Sequence, residues 1–165
     1  MRQNGLQRCG RFFIFAAKVA TMKEIIKAIQ DRIKSEVPEI KYIDVDYGQL
    51  NEANPPVKFP AAIIDLDDME CQQWEEDGDA KVQLVTAVFR ITLVWLHTSP
   101  SNRESDSRGV ALKCYDILGK LHRALQGYSD GGHFNRLQRE RMSSRMSASG
   151  MIQKDLYYTT TFIEE

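Results

Sequence analysis

The chain has 165 residues, 42 % of them hydrophobic and 27 % charged. That length and composition fit one domain around one core and exclude wholesale disorder, collagen-like repeats and low-complexity architecture. With 22 Lys and Arg against 23 Asp and Glu the net charge is -1, which excludes a chain held on nucleic acid mainly by bulk positive charge.

Residues 1–21 carry Arg2, Arg8, Arg11 and Lys18 with no acid, so residues 22–165 alone carry -5. The apolar run Phe12–Ala17 is stopped at six residues by Lys18, short of a signal-peptide core of about 7–15 and far short of a membrane span of about 20. This basic leader is expected to be disordered or to lie upstream of the natural start at Met22; the alternative is a frayed or partner-docking arm. Thr21 and Glu24 have the spacing of a capping box. The helix that follows sets Ile25, Ile26, Ile29, Ile33 and Val37 on one face and is stopped by Pro38. Ile43, Val45 and Tyr47 alternate with Asp44 and Asp46 as a half-buried strand, and residues 48–56, with Pro55 and Pro56, form a loop. Residues 59–67 read as a mostly apolar central strand whose far end turns acidic.

Residues 81–97 are the longest extended run, with Val85, Ala87, Phe89, Ile91, Leu93 and Trp95 on one face. At about 3.3 Å per residue so long a strand is expected to bend, bulge or protrude. After a loop, a second helix carries Val110, Cys114, Ile117, Leu118, Leu121 and Leu125 as its apolar stripe and stops at Gly127. Gly119 inside it suggests close packing against a neighbouring backbone. Two strands close the chain, an arginine-rich one over about 134–146 with edge character and one placing Ile152, Leu156, Tyr158, Thr160 and Phe162 on one face. The predicted fold is α+β, a largely antiparallel mixed sheet with two helices packed on one face, in a single domain over residues 22–165.

Eight of the fifteen residues from Asp65 to Asp79 are acidic and none is basic. Asp65 at a strand end followed by Asp79-Ala80-Lys81 has the form of a Mg²⁺-dependent nuclease core, two carboxylates for the metal and a lysine for the attacking water. The pattern is short, and a solvated inter-strand loop, whose charge serves solubility or a partner, is the preferred reading of the same residues. Cys9, Cys71 and Cys114 are odd in number and far apart, without CxxC or zinc-ligand spacing, as in a reduced, cytosolic chain. His97, His122 and His133 fall on separate elements. G-x-S-x-G, P-loop and G-x-G-x-x-G motifs are absent. The reading is therefore a non-enzymatic assembly protein without catalytic residues, metal or cofactor. Arg136, Arg139, Arg141 and Arg145 stand against the single acid Glu140, and two patches of opposite sign favour head-to-tail association. No aromatic platform is interleaved with these arginines, so sequence-specific nucleic-acid binding is not expected, and neither is a membrane contact.

The opening helix Met22–Ile29, the proline-rich loop followed by Phe59–Leu66, the long strand Val85–Leu96, the helix ending Leu121–Gly127 and the closing strands with Leu137-Gln138-Arg139 and Tyr158–Phe162 together resemble the tail terminator, or tail completion, proteins of long-tailed bacteriophages and prophages. The resemblance covers nearly all of residues 22–165 and is one of element order. It implies a ring, usually a hexamer, in the tail-neck region of the virion, assembled in the bacterial host cytoplasm. Such a ring stops growth of the tail tube and presents a surface to the head. The implied partners are further copies of the chain, the tail tube protein and a head-completion or connector protein; a neck or head-closure role is the alternative. Asp67, Asp68, Glu70, Arg136, Arg139 and Arg141 are the expected subunit-interface residues. Trp74, an aromatic among acids, is the expected tube contact.

Overall fold

The structure, a computed structural model, describes residues 19–52, 54–73, 82–96, 104, 108–147 and 150–165. In chain order these form α1 (Met22–Glu36), β1 (Tyr42–Val45), a 3-10 turn (Gln49–Asn51), β2 (Ala61–Gln73), β3 (Gln83–Leu96), α2 (Arg108–Leu125), β4 (Gln138–Met146) and β5 (Met151–Glu164). The strands make one sheet in the order β1-β2-β3-β5-β4. Only β1 and β2 pair in parallel; the other three ladders are antiparallel. The α+β class and the largely antiparallel mixed sheet are as expected from the sequence.

The Thr21 side chain accepts from the Glu24 amide, and the Glu24 carboxylate accepts from the Thr21 amide at 2.8 Å, closing the predicted capping box. Ile25, Ile29 and Ile33 are then turned inward and fully buried, each contributing about 1.5–3 kcal/mol of transfer free energy. They meet Ile117, Leu121 and Leu125 of α2 and the alternate residues Val85, Ala87, Phe89, Ile91, Leu93 and Trp95 of β3 in one core. β5 adds Leu156, Tyr158 and Phe162 to the same side. The positive φ of Gly127, 75°, ends α2 where a side chain would be strained. Val19 and Ala20, read from sequence with the leader, pack with the domain: Val19 bridges Ile163 in parallel, and Ala20 is buried and donates to the Ile163 carbonyl at 2.9 Å.

Several expectations are corrected. β2 continues to Gln73, so the acidic run, expected as a loop, is for nine residues from Asp65 a strand, held by its ladder to β3 and exposed from Asp67 onward. The irregularity expected of the long strand sits in its neighbour: β3 pairs with β5 without interruption from Gln83 to Leu96, whereas β2 bulges between Leu66 and Asp68. β4 begins at Gln138, because Phe134 and Leu137 before it turn into the core. A Cβ on Gly119 would meet only the Arg123 Nη1 atom, at 3.5 Å, so no neighbouring backbone requires the glycine.

Candidate functional site: a charged sheet face between two open edges

Strand alternation sends every second residue of the sheet away from the helices. Register places Asp65, Arg90, Tyr157 and Arg141 side by side there, one from each of β2, β3, β5 and β4. Arg90 Nη2 donates to Asp65 at 2.5 Å and to Asp46, just beyond β1, at 3.3 Å. Burial opposes its charge, but Asp65, Asp155, Tyr157 and Asp46 outweigh burial and raise its pKa. The Arg141 guanidinium lies 3.5 Å from the centroid of the Tyr157 ring and 3.7 Å from the Asp67 carboxylate. In the next row Asp155, 1 % exposed, accepts from Thr92 at 2.7 Å, from Ser143 at 3.3 Å and from Arg145 Nε and Nη2 at 3.0 and 3.2 Å. These charges hold the strands to one another, while the Arg141 and Arg145 side chains stay more than half exposed. A cleft of about 360 Å³ opens over the same face, with Gly48 and Asn51 on one side, Arg145 and Ser147 on the other, and Arg90 at its floor.

The two sides of the sheet end differently from its middle. β1 covers only Ala61–Ile64 of β2, and among the described residues nothing pairs with Asp65–Gln73 on that side. At the opposite side β4 is the last strand, and among the described residues its outer edge is uncovered apart from the Arg139 amide, which donates to the Gln126 side chain. Each open stretch is nine residues long. The first carries Asp67, Asp68 and Glu70; the second carries Arg139, Arg141 and Arg145, with exposed Arg136 just before it. An uncovered edge of this length is a template for another strand.

The structure thus places five of the six expected interface residues on the two open edges and Arg136 next to one of them. It also brings Asp67 and Arg141 together within one chain. Trp74, the expected tube contact, lies outside the described residues, as do Asp79 and Lys81. Asp65, the remaining member of the nuclease pattern, is held by Arg90. Among the described residues no His, Cys, Asp and Glu side chains cluster as the ligands of a metal ion, and no helix is long and apolar enough to cross a membrane. His122 lies against Tyr158, and His133 pairs with Asp130. Arg90 and Asp155 are the residues that sequence reasoning missed. Their signal was a charge inside a central strand, which must find a partner when buried.

No family model matches the chain, and no curated protein matches it by sequence. Among solved structures it is similar to a chain described as "Virion of native gene transfer agent (GTA) particle", at 13 % identity and a TM-score of 0.52, covering 84 % of this chain and 94 % of that one. At that identity the likeness is one of fold.

Proposed function

We propose that the chain is a structural subunit of a phage-like virion, which closes into a ring on the end of the tail tube, stops its growth and offers the surface on which the head is joined. The observation that carries this reading is the shared fold over 94 % of a chain from a gene transfer agent virion. The open edges support it, because surfaces of opposite sign on opposite sides of one molecule suit a heterologous, head-to-tail contact that closes by rotation. In this reading the acidic edge with Asp67, Asp68 and Glu70 meets Arg136, Arg139 and Arg141 of the next subunit, and Trp74 anchors the tube. The work done is mechanical: copies satisfy one another's edges, and the completed ring covers the exposed end of the tube.

The test is to image particles made without this chain and particles carrying Trp74→Ala. Absence of the chain produces tails of uncontrolled length or heads without tails. Trp74→Ala gives the same defect with the melting temperature nearly unchanged. Normal particles in the absence of the chain contradict the capping role, and a Trp74→Ala chain that loses about 3–5 kcal/mol of stability places that side chain in a core instead of at the tube.

A further inference from the structure

The two open edges match on both of their faces. On the helix side β4 presents Met142 and Met146, 49 % and 73 % exposed, opposite buried Leu156 and half-buried Ile152, with Arg139 and Ser144 in the same row. On the same side the open stretch of β2 presents Met69, 42 % exposed, and Cys71, also exposed, beside Ala87 and Val85. On the far side β4 presents Arg141, Ser143 and Arg145, and β2 presents Asp68 and Glu70. We infer that the ring contact is a strand addition, in which β4 of one copy pairs antiparallel with Asp65–Gln73 of the next, so that one continuous sheet runs through neighbouring subunits.

Direction agrees with this. Within one chain β2 and β5 run one way and β3 and β4 the other. A neighbour in the same orientation therefore brings its β2 antiparallel to β4, with its helices on the same side. The methionines then form an apolar seam beneath the helices, and Asp68 and Glu70 stand opposite the arginine column. Both sets of alternating partners fit only if register is kept, since a slip of one residue exchanges the faces. β4 lies level with Val88–Trp95, while the open part of β2 lies level with Gln83–Arg90. The neighbour is thus staggered along the strands, which run oblique to the ring axis as they do in a closed barrel.

The inference rests on the ring reading, and the test separates the two. In the full chain with Cys9→Ser and Cys114→Ala, leaving Cys71 as the native thiol, one cysteine is added at Arg139→Cys, Met142→Cys or Ser144→Cys on the helix side, or at Ser143→Cys on the far side. A disulfide needs Cα atoms about 4.4–6.8 Å apart with their side chains on one face. Mild oxidation of at least one helix-side variant yields a ladder of covalent multimers on a non-reducing gel. Ser143→Cys yields at most a tenth as much, and Cys71→Ser removes the ladder. An oligomer by native mass in which no helix-side variant links to Cys71, or in which Ser143→Cys links equally well, overturns strand addition and leaves the ring standing. A monomer by native mass overturns both.

Discussion

Gly119 is a residue whose sequence reading and surroundings disagree. Glycine in a helix interior costs roughly 0.5–1 kcal/mol relative to alanine, and here an added Cβ meets only the end of a flexible arginine at 3.5 Å. Gly119→Ala is therefore expected to stabilise the chain by about 0.5–1 kcal/mol, a rise of about 1–4 °C in melting temperature; a fall would reveal packing that involves this surface in the assembled state. Asp155 is the opposite case. Its carboxylate is buried under four donors, so Asp155→Ala leaves Thr92 and Ser143 without their acceptor and is expected to cost about 1–3 kcal/mol in denaturant unfolding. Burial first, then Arg139 and Arg123, lower the His122 pKa, with Nδ1 3.1 Å from the Tyr158 hydroxyl. The unfolded imidazole, near 6.5, then binds more protons than the folded one. This contribution to stability is present above about pH 6.5 and is lost as pH falls below that value, and His122→Gln flattens that part of the pH profile. Equal acid sensitivity in both proteins would assign the effect to other groups.

At the scale of elements, legibility followed the strength of the local pattern. The start of α1 is readable because Thr21 and Glu24 mark it, and five apolar residues at helical spacing carry the helix to within a residue of its end at Glu36. The caps also give it a testable boundary. A chain beginning at Met22 lacks the Thr21 cap, worth about 1 kcal/mol, together with the buried Ala20, whereas one beginning at Val19 keeps both. The second is expected to melt higher than the first, and equal melting would mean that the capping box contributes nothing in context. β3 and β5 were legible because alternate residues face the core. The second half of β2 was not, since Asp67, Asp68 and Glu70 have poor strand propensity and neither face is covered; the ladder to β3 alone extends it. The Asp67 pairing with Arg141 was equally hidden, because it joins strands separated by two others in the sheet.

For the whole molecule, the order of elements carried the fold, while the site depended on which edges the sheet leaves open. β1 is only four residues long, and that shortness exposes the acidic edge opposite the basic one. Exposed ion pairs contribute only about 0–1 kcal/mol each and are screened over about 10 Å at 0.1 M salt. Raising salt is accordingly expected to loosen the assembly without dissolving it, since the methionine seam remains, and Arg141→Glu, on the sheet face that carries Asp68 and Glu70, loosens it further. An assembly indifferent to both would confine the contact to apolar groups and backbone. The central claim, that copies of this chain close on one another, is tested most directly by native mass measurement of the purified full chain at micromolar concentration and low salt. The account predicts one closed species at a fixed multiple of 18.9 kDa, six copies if the tail-terminator resemblance holds. A monomer, or an open-ended series of sizes, would contradict it.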